Sequence, residues 1–251
     1  MRTIRVVSAI SALCMVLAAA VPAVAQKNPG KDGEPADPFN PITGRQACTT
    51  VPDDAYDGTI GSMTCQTINV ADPGLIDDVD VVLGVNHSWV GDMTVKVVSP
   101  AGTVVTVMSR PGFAEPADDG TLCCGDSSNI VDTSPVTFDD SAAVSAEDMG
   151  STIAGGFFVC QDDGICNYSS FPDTGPGTNL DDFDGEPAAG DWMVCVGDGA
   201  GGDEGEICDN SEIIITRVPG TPTLPWAGMV ALIALLSVIG LFMLRRKSTA
   251  S

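Results

Sequence analysis

Imidazole is nearly missing from this chain: His87 is the single histidine in 251 residues, and aromatic side chains supply only 5% of the sequence. A zinc site would need several histidines or close cysteine pairs, and neither pattern is present. A serine-type catalytic triad would have one imidazole to draw on, and His87 falls inside a strand register beside Trp89, where a packed, hydrogen-bonded histidine is the expected role. Positive charge is equally scarce. There are 11 Lys and Arg against 34 Asp and Glu. Five of the cations (Arg2, Arg5, Arg245, Arg246, Lys247) belong to the ends, and every acid lies between Asp32 and Glu212. The exported part therefore carries six cations and 34 carboxylates, a net charge of −28. Such a surface repels phosphate backbones and anionic lipid headgroups, which excludes nucleic acid as a partner. Helical periodicity is also lacking, a short turn over residues 142–149 being the one candidate.

Both ends read as targeting segments. Arg2 and Arg5 precede an apolar run from Ile10 to Ala20, and Ala23-Val24-Ala25 is a small-x-small cleavage site, so residues 1–25 are predicted to be a secretory signal helix. Residues 26–47 are rich in Pro, Gly and charge without apolar period and read as a flexible linker. At the other end, residues 227–244 are uncharged and precede Arg245-Arg246-Lys247. At 1.5 Å per residue they would reach roughly 27 Å, enough for a bilayer core with the cations on the cytoplasmic side. Ahead of them, Pro222-Thr223-Leu224-Pro225-Trp226 resembles the PEP-CTERM class of bacterial sorting signals in its IPTL variant. That resemblance implies processing by an exosortase-type membrane enzyme, with a plain membrane anchor as the alternative. The expected location is outside the inner membrane, anchored or at the cell surface.

Between the ends, residues 48–217 are predicted to form one all-β domain. Val79, Val81, Leu83 and Val85 alternate with polar residues, and His87 and Trp89 continue the register. Met93, Val95 and Val97 restart the pattern after a Val90-Gly91-Asp92 turn, and Thr103 to Met108 returns after Ser99-Pro100-Ala101-Gly102. The stretch reads as a three-stranded meander burying one face. Asp-Gly pairs at Asp57, Asp119, Asp163, Asp184 and Asp198 punctuate further short alternations, as in a β-sandwich of jelly-roll type.

Eight cysteines remain once Cys14 leaves with the signal: Cys48, Cys65, Cys123, Cys124, Cys160, Cys166, Cys195 and Cys208. An even number in an exported chain implies disulfides and an oxidising compartment. Their connectivity is open. Cys195 and Cys208 flank an expected Asp198-to-Glu206 hairpin, and Cys48 with Cys65 could close the N-terminal segment. Cys123, Cys124, Cys160 and Cys166 would then cross-link two long loops, a vicinal 123–124 bridge being the strained variant.

His87-x-Trp89-x-Gly91-Asp92-Met93-x-Val95-x-Val97-x-Ser99-Pro100-x-Gly102-Thr103 resembles the signature of the P domain (P/Homo B domain), a β-sandwich that follows the catalytic domain of subtilisin-like proprotein convertases. Phe138-Asp139-Asp140-x-Ala142, Leu180-x-x-Phe183-x-Gly185, Gly190-x-Trp192-x-Val194-x-Val196-x-Asp198 and Gly205-x-Ile207 continue the resemblance, and Val51-Pro52-Asp53 fits its opening. Asn210 or Ser211 stands where the family has Trp, leaving the register of the last strand open. No subtilisin-type Gly-Thr-Ser block occurs, and residues 26–47 are too short to hold a catalytic domain, so no enzymatic activity is expected. Hard cations seek clustered carboxylates on Gly-rich loops. Asp139 with Asp140, and Asp198 with Asp203 and Glu206, are the candidate calcium ligands, and the resemblance supports calcium as the cofactor. The expected function is a surface-displayed binding or adhesion module for a protein or surface polymer, with long acidic loops at 111–126 and 161–177 free to meet it. The alternatives are an accessory domain for a separate subtilisin-like endopeptidase and a structural envelope component.

Overall fold

The computed structural model describes residues 47–122 and 124–218. The expectations for the signal segment, the sorting motif, the membrane helix and Cys123 fall outside these residues. No described helix is long and apolar enough to cross a membrane.

The fold is all-β. Eleven strands are described: β1 Cys48–Val51, β2 Thr64–Val70, β3 Ile76–Leu83, β4 Val85–His87, β5 Met93–Val98, β6 Val104–Ser109, β7 Val136–Phe138, β8 Asn167–Tyr168, β9 Gly190–Asp198, β10 Gly205–Cys208 and β11 Glu212–Arg217. They form two four-stranded sheets, ordered β2-β9-β5-β6 and β11-β3-β7-β8, and a small sheet β1-β10-β4. All pairings are antiparallel except β7 with β8. The helical turn expected at 142–149 is a single 3-10 turn, Ala146–Asp148, capped where Ser145 Oγ accepts the Glu147 N–H.

Both large sheets feed one core. Val79, Val81 and Leu83 of β3 share it with Val95 and Val97 of β5 and with Trp192, Val194 and Val196 of β9. Phe183 meets Trp192 edge to face at 5.1 Å, and Trp192 donates its indole N–H to Ala188 O at 2.9 Å. Alternation thus placed the inward side chains correctly.

The meander did not survive, because the chain changes sheet at Gly84. β3 pairs with β11 and β7, whereas β4 pairs with β10. A Cβ at Gly84 would sit 1.8 Å from Asn210 Oδ1, so the missing side chain leaves room for Asn210 where the chain crosses. Only β5 and β6 form the expected hairpin. β5 is moreover buried at every position, since it lies between β6 and β9 and loops cover its second face. Lys96 on that face donates to Gly58 O at 2.8 Å and to Asp118 at 2.7 Å, and lies over the Tyr56 ring. The last strand is in register with β3, Ile213 opposite Val81 and Ile215 opposite Val79.

The expected disulfide pairs are corrected. Cys48 bonds Cys208 and Cys65 bonds Cys195, and in each pair the partners face each other across antiparallel strands. Cys195 and Cys208 cannot pair because β9 and β10 lie in different sheets, so no hairpin joins them. Cys160 bonds Cys166 within one loop rather than tying two together, and Cys124 is also disulfide-bonded.

Candidate functional site

One end of the sheets is closed by four segments that bound an open cavity of about 550 Å³. Asp54 and Tyr56 follow β1, Trp89 and Asp92 lie on the 3-10 turn Val90–Asp92 and its cap, and Asp119 to Leu122 come from the long loop after β6. Gly199, Ala200, Gly201 and Asp203, between β9 and β10, complete the wall.

Backbone bonds lock these pieces together. The Ala55 and Tyr56 N–H groups donate to Asp198 O at 3.0 and 2.9 Å, and Gly199 N–H donates to Asp92 O at 2.9 Å. Gly91 and Asp126 bond at 2.9 Å, and Gly125 N–H returns to Gly91 O at 3.3 Å. A Cβ on Gly91 would lie 2.4 Å from Gly125 Cα, so the Gly-Asp of the signature is a close-packing requirement as well as a turn. Beneath the long loop, buried Arg110 donates Nη1 to Thr121 O at 2.9 Å and Nη2 to Leu122 O, and pairs with buried Glu115 at 3.4 Å. Asp119 caps Thr121 through both its N–H (3.0 Å) and its hydroxyl (2.6 Å). The acidic loop expected to hang free is therefore pinned from below, which preorganises the wall it supplies.

Asp92 is the exceptional group. It is 2% exposed, and one of its carboxylate oxygens has no hydrogen-bond partner. Burial, then the neighbouring charges of Asp198 and Asp203, push its pKa up to about 6. The indole N–H of Trp89 is likewise buried and unpartnered. Trp89 and Asp92 both line the cavity, and a donor and an acceptor buried without partners are costly.

The sequence-predicted residues fall in different places. Asp203 is on the cavity wall, accepting Ser88 Oγ–H at 2.8 Å. Asp198 is buried behind it, its two oxygens meeting His87 Nε2 at 3.1 Å and Ala200 N–H at 3.1 Å. Glu206 is exposed on β10, opposite Thr50 and Asn86. Asp139 and Asp140 follow β7 on the other large sheet. Asp139 accepts Ser141 N–H at 2.8 Å; Asp140 accepts Leu180 N–H at 2.6 Å, Asp181 N–H at 3.2 Å and Ser170 N–H at 3.3 Å. Near them Asp80 has an unpartnered oxygen, and burial together with Asp78, Asp139 and Asp140 pushes its pKa up to about 6. Among the described residues, the group of candidate metal donors lying within 4.8 Å of one another is Cys48, Asp132 and Cys208, and two of these are joined in a disulfide. The sequence gives no site role to Asp54, Tyr56, Trp89, Asp92 or Asp119. Asp92 was legible only as a turn residue, because nothing local announces that three distant segments will bury it.

No curated protein matches the chain. Among solved structures, the serine protease of Aeromonas sobria matches at 19% identity over 69% of this chain, with a TM-score of 0.34. The complex of that protease with its chaperone matches at 19% identity over 70% of this chain, with a TM-score of 0.30. This chain spans 25% and 22% of the length of those two chains. The family model described as the proprotein convertase P-domain matches residues 76–155, the span that carries Trp89, Gly91, Asp92 and the long loop, and so supports a P-domain here.

Proposed function

We propose that this protein is an exported, surface-anchored P-domain module that binds a partner and breaks no bonds itself. The observation that carries the reading is the preorganised acidic cavity with Asp92 buried and unsatisfied on its wall. His87 supports the non-catalytic half. Its side chain is fully buried, its Nδ1 accepts Trp89 N–H at 3.0 Å, and its Nε2 is engaged by Asp198. Among the described residues, the hydrogen-bond partners of its ring are the Asp198 carboxylate and the Trp89 N–H, and neither is a hydroxyl or thiol nucleophile. The test is to purify the protein from its native surface and recover what it retains, with peptide and ester hydrolysis assayed in parallel. Retention without turnover is the expected result; turnover that is lost in His87→Ala would overturn it.

A second reading is an accessory role toward a separate subtilisin-like endopeptidase, which the P-domain match favours. Copurification of such a protease would promote it. Calcium belongs to the proposal as well. Burial, and then the neighbouring carboxylates of Asp139 and Asp140, raise the proton affinity of Asp78 and Asp80, so a dication at that face would relieve repulsion. Export through residues 1–25 and exosortase-type processing at 222–226 complete the proposal, with a plain membrane anchor through 227–244 as the alternative. Intact mass of the surface form tests the last step, since cleavage removes the residues after the motif.

A further inference from the structure

The cavity has properties that narrow its ligand beyond a generic partner. Its acidic groups, Asp54, Asp92, Asp119 and Asp203, come from four separate segments. The walls between them are aromatic and aliphatic, with Tyr56, Trp89 and a Leu122 that stands 66% exposed at the site. Only three cations occur among residues 47–218, and two of them, Lys96 and Arg110, are buried in internal pairs. Arg110 is the one of these that bears on Asp92, and its guanidinium is committed to Glu115 and to the Thr121 and Leu122 carbonyls, so the described residues leave the cavity no uncommitted cation.

Three cationic ligands can be compared. Calcium takes six to eight oxygens at 2.3–2.6 Å. No three carboxylates among the described residues bring one oxygen each within 4.8 Å of one another, and about 550 Å³ of part-apolar space exceeds what an ion fills. A free amine would satisfy Asp92 but leave the Trp89 N–H without an acceptor. An arginine within a polypeptide carries both groups required: a planar guanidinium for carboxylate and ring, and a backbone carbonyl for the indole N–H. Its methylene stem would lie along the apolar walls.

We propose that this cavity receives the arginine side chain of a partner protein, with Asp92 as the buried anion and Trp89 as the stacking and donor surface. The inference rests on the binding-module reading and deepens it. A cation beside Asp92 also removes the penalty of leaving that carboxylate buried and unpaired.

The experiment uses the full chain in nonionic detergent and a blocked Gly-Arg-Gly tripeptide, read by calorimetry and indole fluorescence. The same peptide with citrulline, an uncharged isostere, together with agmatine and calcium chloride, serve as comparison probes. Saturable binding of the arginine peptide is expected, weakened by at least about tenfold with citrulline, in Asp92→Asn and in Trp89→Leu. Thermal unfolding of both variants must stay cooperative, and Asp119→Asn supplies a second variant on an exposed carboxylate. Equal binding of citrulline overturns the charge argument, and agmatine binding as tightly as the peptide overturns the protein origin of the ligand. Calcium binding that is abolished by Asp92→Asn, with no peptide binding, makes the cavity a dication site and ends the proposal. If the native partner is retained equally by wild type and Asp92→Asn, the arginine inference falls while the binding-module reading stands. Loss of all retention in wild type removes that reading instead.

Discussion

His87 Nε2 lies 3.1 Å from Asp198 Oδ2, with both side chains fully withdrawn from solvent, while its Nδ1 accepts the Trp89 N–H. The second contact places the ring proton on Nε2, facing the carboxylate. The imidazole therefore braces β4 against the end of β9, directly behind the cavity, and has no free nitrogen for proton transfer. His87→Ala should cost about 2–4 kcal/mol of stability by stripping a partner from a buried carboxylate. Chemical denaturation would show it, and an unchanged midpoint would contradict the bracing role.

The two long-range disulfides are nested, Cys65–Cys195 lying inside Cys48–Cys208, with sequence separations of 130 and 160. With one intact, the other closes a circuit of only about 30 residues, so each single removal should cost roughly 3.5 kcal/mol on the chain-entropy argument. Removing both also releases the long loop, for roughly 8–9 kcal/mol in all. The double variant should therefore exceed the sum of the singles by about 1 kcal/mol, a coupling that a double-mutant cycle measures.

Asp92 and Asp80 both hold their protons up to about pH 6. A carboxyl whose folded pKa is raised binds its proton more tightly in the native state. Its contribution is complete below the unfolded value near 4 and disappears as pH climbs through 6. The groups facing Asp92 are Asp198, Asp203, Arg110 and His87; those facing Asp80 are Asp78, Asp139 and Asp140. Stability should rise by about 2 kcal/mol between pH 7.5 and pH 5. Asp92→Asn and Asp80→Asn should each flatten part of that rise in Tm-versus-pH curves.

Gly91→Ala would push a methyl into the backbone of Gly125 and Asp126 at 2.3–2.4 Å. The long loop must then lift from the 3-10 turn, at a cost on the order of 2–3 kcal/mol. Faster amide exchange at Gly125 and Asp126 than in wild type is the expected sign of that opening.

Calcium added to chelated protein should raise Tm, and Asp80→Asn with Asp139→Asn should abolish the increment. An identical Tm with and without calcium removes the ion from the proposal.

Alternating apolar residues were enough to read the all-β class, the inward faces of β3, β5 and β9, and the oxidised cysteines, because side-chain direction along a strand is a local property with period two. The Gly-Asp signature was legible for the same reason, as a turn. Its burial was not. Gly84, where the chain changes sheet, lies against the side chain of Asn210, far along the chain. Cys48 meets Cys208 only because β1 and β10 pair. Asp92 becomes an unsatisfied anion only when the segments after β1, β6 and β9 close over it. Strand pairing and loop closure join residues more than a hundred positions apart, and those long-range contacts, rather than any local pattern, decided which carboxylates share a site.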